Sequence, residues 1–138
     1  MSERREIFRP VFQWVERAEH DLRTADHTLT IEDDCPFDTI CFHAQQCVEK
    51  YMKACLVFNS IDFPKTHDLL ILLKLMEKAH PLGLDLGEVQ PLNRYSIEAR
   101  YPGDWEPITR SEAEAAVSVA RNVRDRVRGS LPEEALEK

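Results

Sequence analysis

The chain is short of nearly every device that a self-contained enzyme carries. It has four glycines in 138 residues. None are gathered into a Gly-rich phosphate loop, and neither HExxH nor GxSxG occurs. No Asp/Glu cluster at sharp spacing suggests a two-metal site. These absences argue against a self-contained nucleotidyltransferase or kinase, and no cofactor or metal is expected. The four cysteines, Cys35, Cys41, Cys47 and Cys55, contain no CxxC pair, which removes zinc-ribbon and thioredoxin-type motifs. Two cysteines six or eight residues apart on one helix stand roughly 9–12 Å apart along its axis, beyond disulfide reach. Buried, reduced thiols in a cytoplasmic protein are the expectation. The longest aliphatic run, Leu69–Leu73, is far too short to span a membrane, and Met1–Pro10 lacks the apolar centre of a signal peptide. Positive charge is scarce as well: 18 Lys and Arg stand against 25 Asp and Glu, a formal charge of −7. That field opposes non-specific nucleic-acid binding, which needs a cationic excess, so no strong nucleic-acid signal is present beyond a local patch.

What remains is ordinary material for one globular domain. Hydrophobic residues make up 43% of the chain, enough for a core without staples, and 31% are charged. The organising stretch is Phe37–Phe58. Its Phe37, Cys41, Ala44, Val48, Tyr51 and Cys55 recur at helical steps within an arc of roughly 80°. Phe42, Leu56 and Val57 fall outside that arc, so this reads as a central helix with several neighbours.

Before it, Val11, Val15, Ala18, Leu22, Ala25 and Leu29 form a heptad-like stripe on a helix of about Pro10 to Thr30. Its opposite face, with Glu16, Glu19, His20, Arg23 and His27, reads as solvated. Thr66 is the expected N-cap of a third helix, Asp68 to Lys78. Asp85 and Glu88 have capping-box spacing for a fourth, running to about Ala99 with Pro91 in its first turn. Arg100–Trp105 is irregular. Thr109 and Glu112 repeat the capping-box spacing before a last helix, Arg110 to Arg128, with Gly129 as its stop. The prediction is an all-α, up-and-down bundle of four or five helices over residues 9–128. Flexible termini are expected at 1–8 and 131–138.

Candidate chemistry lies in four places. The polar side of the central helix carries Gln46, Glu49, Lys50 and Lys53, flanked by His43. Glu49 and Lys53 form a favourable i,i+4 pair, so a salt-bridged solvated face explains them; a shielded groove for an anionic ligand is the alternative. Arg94-Tyr95 and Arg100-Tyr101-Pro102-Gly103-Asp104-Trp105 are the densest Arg–aromatic group. They read either as a bundle seal, with Arg paired to Glu98 or Asp104, or as a phosphate fork beside a stacking plane. His67, at a helix start, is a cap-region residue or an anion contact. Arg121, Arg124 and Arg128 complement the dipole of the last helix, with nucleic-acid contact as the alternative.

Four segments together resemble the HEPN domain family (higher eukaryotes and prokaryotes nucleotide-binding). They are Trp14–Leu22 (WVERAEHDL), Phe42–Ala54 (FHAQQCVEKYMKA), Thr66–Leu69 (THDL) and Glu98–Pro102 (EARYP). The resemblance spans roughly residues 9–128. It implies a helical bundle that pairs as a homodimer, similar to the substrate-binding helical domain of nucleotidyltransferases. One branch of the family comprises metal-independent ribonuclease toxins, with an Arg and a His separated by four to six residues. That motif is absent here: Arg23 and His27 have only three residues between them. The other branch comprises non-catalytic proteins encoded beside minimal nucleotidyltransferases, and the chain resembles it more closely.

The expectation is therefore a cytoplasmic, non-enzymatic, homodimeric subunit that binds a nucleotide or a partner, paired in toxin–antitoxin fashion with a separate minimal nucleotidyltransferase. Its contact residues would be His43, Lys50, Lys53, His67, Arg94, Arg100 and Tyr101. A ribonuclease toxin and a ligand-free dimeric interaction protein are the alternatives. Homodimerisation has its own argument, because Phe42, Leu56 and Val57 would leave apolar surface on a lone bundle.

Overall fold

Thirteen of the 22 residues of one helix, Phe37–Phe58, are buried, and they lie all round it. This is the expected central helix, with the expected bounds. A computed structural model describes residues 6–96 and 107–137, and among these all regular structure is helical. The elements are α1 (Phe8–Thr28), α2 (Phe37–Phe58), α3 (Leu69–Ala79), α4 (Leu86–Val89) and α5 (Arg110–Ser130). A 3-10 turn, Gln90–Tyr95, continues α4, and another, Glu133–Ala135, follows α5. α2 packs against α1, α5, α3 and the first 3-10 turn. The heptad-like stripe Val11, Val15, Ala18, Leu22 and Ala25 faces inward from α1. Ala113, Ala116, Val117, Ala120, Val123 and Val127 do so from α5.

Local chemistry sets the helix ends. Thr109 accepts a hydrogen bond from the Glu112 amide at 3.1 Å, the cap expected for α5. At α3 the cap is Asp68 rather than Thr66. The Asp68 carboxylate accepts from the Leu70 amide at 3.0 Å, while the Thr66 hydroxyl accepts from the Asp68 amide at 3.0 Å. Asn93 from the 3-10 turn completes this end, accepting from the Leu69 amide at 2.8 Å and donating to Asp68 at 2.8 Å. A second donor for the Asp68 carboxylate, together with a partner for the Leu69 amide, explains why the helix starts there.

α4 is one turn long, because Pro91 has no N–H for the Gly87 carbonyl and the chain tightens into 3-10 geometry. The later part of the expected fourth helix, from Ile97, lies outside the described residues. α5 passes through Gly129 to Ser130: the Ser130 hydroxyl donates to the Val127 carbonyl at 2.7 Å, and the next residue, Leu131, is buried. The tail corrects the expectation of a frayed end, since Ala135 is fully buried in the core. At the other end of α5, Arg110 donates to the Leu29 carbonyl at 3.0 Å and the Ile31 carbonyl at 2.9 Å. Its guanidinium also sits 5.1 Å from the Phe37 ring centroid, so one side chain clasps the α1–α2 connection.

The cysteines behave as core residues. Cys41, Cys47 and Cys55 are buried and Cys35 is half-buried. Burial pushes the Cys47 thiol well above its ordinary value, with Asp21 adding to the rise, and pushes Cys55 up to about 11. The unfolded chain ionises Cys55 near its ordinary value of 9.0, so its contribution to stability is complete below that pH and is lost as pH rises to about 11. Titration of the native protein with an aromatic disulfide at pH 8 should therefore label Cys35 first and spare Cys47 and Cys55 until denaturant is added. Rapid labelling of either buried thiol in the native state would contradict this core.

Candidate functional site

Two carboxylates organise the polar groups between α1 and α2. Asp21 sits one position before Leu22 of the inward stripe, which turns it toward α2 instead of solvent; it is buried. His43 and Lys50 are seven residues apart, two helical turns, and so project from the same side of α2. Both reach Asp21: His43 Nδ1 lies 2.8 Å from Oδ1, and Lys50 Nζ lies 2.5 Å from Oδ2. Phe42 packs edge-on to the His43 ring, with centroids 5.3 Å apart.

Glu49 forms the second centre and is only 2% exposed. Lys53 Nζ lies 3.1 Å from its Oε2, and His67 Nδ1 lies 2.8 Å from its Oε1. The fully buried Gln45 donates to Glu49 at 3.3 Å and to the His67 carbonyl at 3.2 Å, and accepts from Gln46 at 2.7 Å. Lys53 is roofed by Trp14, 5.4 Å from the ring centroid, and Phe63, at 5.9 Å. Here the expectation of a solvated salt-bridged face is corrected. The i,i+4 pair exists, but α1 and the α2–α3 connection cover it. Among the described residues no buried side-chain polar atom lacks a partner, and no group of His, Cys, Asp and Glu is placed to hold a metal.

Arg94 stands apart from these centres. It pairs with Glu112 at 3.0 Å and lies over Tyr95, 5.2 Å from the ring centroid; Glu98 and Asp104, the partners expected for this Arg–aromatic group, lie outside the described residues. Tyr95 donates to the same Glu112, and burial, with that carboxylate second, raises its phenol above the ordinary value. Arg100 and Tyr101 lie outside the described residues.

A HEPN domain profile matches residues 11–130. The chain belongs to the HEPN domain family. It is 28% identical over 135 residues to the Methanocaldococcus jannaschii protein named "Putative toxin MJ1304", covering 87% of each chain. The fold is similar to that of ST0689, described as an archaeal HEPN homologue, with a TM-score of 0.69 and 25% identity over 87% of this chain and 96% of that one. It is equally similar to that of TT1696 from Thermus thermophilus, with a TM-score of 0.69 and 28% identity over 88% and 98% of the two chains.

Of the seven expected contact residues of this HEPN chain, four gather on Asp21 and Glu49. Sequence reasoning missed those two carboxylates as organisers, and Gln45 with them. A carboxylate one step off an apolar stripe, as Asp21 is beside Leu22, was the available signal. The expected solvated face of α1 holds at His20, Arg23 and His27, which are exposed, and is corrected at Glu19. Glu19 receives Arg124, at 2.8 and 3.2 Å, and Arg128, at 3.1 Å, while Arg121 pairs with Asp26. The arginine stripe of α5 thus docks the HEPN bundle's first helix onto its last. Leu56 is fully buried and Val57 packs on the core, so two of the three residues offered for a dimer contact are spent inside the protomer. No described helix is long and apolar enough to cross a membrane.

Proposed function

We propose that the chain is a non-catalytic, homodimeric HEPN subunit that binds a nucleotide along the α2 flank and works with a separately encoded minimal nucleotidyltransferase in a toxin–antitoxin-like pair. The observation that carries the reading is the convergence of His43 and Lys50 on Asp21, beside Lys53 and His67 on Glu49. Each of these side chains is held in place by a carboxylate before any ligand arrives, which reduces the ordering cost of binding. His43 and Lys50 keep partial solvent access, so a phosphate can approach them. The relative named "Putative toxin MJ1304" agrees with a toxin–antitoxin setting.

The test is calorimetric titration of ATP and GTP against the wild type and Lys50→Ala. Saturable binding weakened about tenfold, equivalent to about 1.4 kcal/mol, is expected for the variant. No binding by either protein removes the nucleotide part of the reading.

A second reading rests on His43 Nδ1 at 2.8 Å from Asp21, since a carboxylate-oriented imidazole suits a general acid or base. RNA cleavage by the purified wild type, lost in His43→Ala, would make the protein a ribonuclease instead.

A further inference from the structure

We infer that the groove between α1 and α5 is a separate anion site, built for the phosphate of a small phosphorylated ligand. At about 100° per residue, Asp21 and Glu19 lie about 200° apart around α1. Asp21 turns toward the α2 flank, and Glu19 turns into a cavity of about 640 Å³ on the other side. Four guanidiniums line that cavity against three carboxylates, a cationic balance on a chain whose formal charge is −7. Such an excess marks a place where anions concentrate.

The donors are only partly used. Arg124 spends Nε on Glu19 and Nη1 on Asp125, and Arg128 spends Nη1 on Glu19 and, at 3.4 Å, on the Tyr51 hydroxyl. A guanidinium carries five N–H groups, so donors remain on both. The side chains of Arg23 and His20, also in the lining, make no hydrogen bond or ion pair among the described residues. Glu19 therefore gathers two forks at the groove floor, its Oε1 accepting from both Arg124 and Arg128, and the unspent N–H groups beside Arg23 suit the oxygens of a phosphate.

Size and walls set the ligand class. The volume lies within the range of small-molecule sites, and Phe12, Val15 and Leu136 supply an apolar wall for an organic group. A long polyanion is disfavoured, because Glu16 and the acidic chain repel charge beyond the groove. The shared chemistry is a phosphate group, carried on an organic monoester or free.

Calorimetry at low ionic strength with inorganic phosphate and with AMP tests this on wild type, Arg23→Glu and Lys74→Glu. Lys74 is exposed on α3, outside the lining, and its variant changes net charge by the same amount. Saturable binding is expected, at least tenfold weaker in Arg23→Glu and unchanged in Lys74→Glu. The milder Arg23→Gln should give a smaller loss, and circular dichroism checks that each variant is folded. AMP binding tighter than phosphate assigns the apolar wall to an organic monoester; equal affinities assign the site to free phosphate. No saturable binding of either probe, or equal losses in the two charge-matched variants, overturns the proposal. Because Arg23 marks this groove and Lys50 the α2 flank, either site can fail without the other.

Discussion

Replacing Glu49 with alanine should cost about 3–5 kcal/mol of folding stability, the usual penalty for stripping one partner from a buried ion pair. The side chains of Glu49 and Lys53 are 3% and 9% exposed, so the ammonium left behind has little water to turn to. Trp14 and Phe63 close over it and provide ring faces but no hydrogen-bond acceptor of comparable strength. Gln45 and His67 would each lose a bond to the same carboxylate. Against a typical domain stability of about 5–15 kcal/mol, the loss is roughly a fifth or more of the total. It should appear as a melting temperature lower by roughly 10–20 °C and an earlier urea midpoint at unchanged slope. Adding Lys53→Met should recover part of the loss, because it removes the stranded charge while filling the same space. A Glu49→Ala protein within about 1 kcal/mol of wild type would mean that the pair is wet, contrary to the burial described above.

The second large effect is expected at Leu56. It is fully buried, with α2 residues Met52 and Cys55 beside it in the same core. Truncation to alanine should cost about 2–5 kcal/mol, combining the lost transfer energy with the cavity left in a close-packed interior. The concentration dependence of this loss is as informative as its size. A side chain spent inside the protomer gives the same loss at micromolar and at tenfold higher protein. A side chain at a dimer contact gives a loss that shrinks as mass action restores the dimer. Urea melts at two concentrations check this, and a concentration-dependent loss would return Leu56 to the interface that its sequence position suggested.

These two residues also mark the limit of what the chain discloses unaided. The bounds of α2 were legible because Pro36 and the apolar steps from Phe37 to Phe58 agree on one period. The inner face of α5 was legible for the same reason. Periodicity reports which side of a helix a residue occupies, but not how many neighbours cover that side. Glu49 and Lys53 at i,i+4 look alike whether water or Trp14 lies over them, and Leu56 off the main arc looks alike whether it meets a second protomer or its own core. The Asp21 centre was hidden differently. Its partners, His43 and Lys50, are 22 and 29 residues away, and only the packing of α1 on α2 brings them together. The start of α3 depended on bonds from a residue 24 positions away, such as Asn93 at Leu69, which no local pattern announces.

The clasp made by Arg110 has a bearing on how the polypeptide acquires its shape during synthesis. It reaches 81 positions back to Leu29, and the Glu19 contacts of Arg124 and Arg128 reach back 105 and 109. The first two helices emerge early and meet through a short connection, so their hairpin needs little loop closure. The clasp over that hairpin's turn closes only once the carboxyl-terminal rod has left the ribosome. Any chain cut short before residue 110 is left with an unlatched turn and an open core seam.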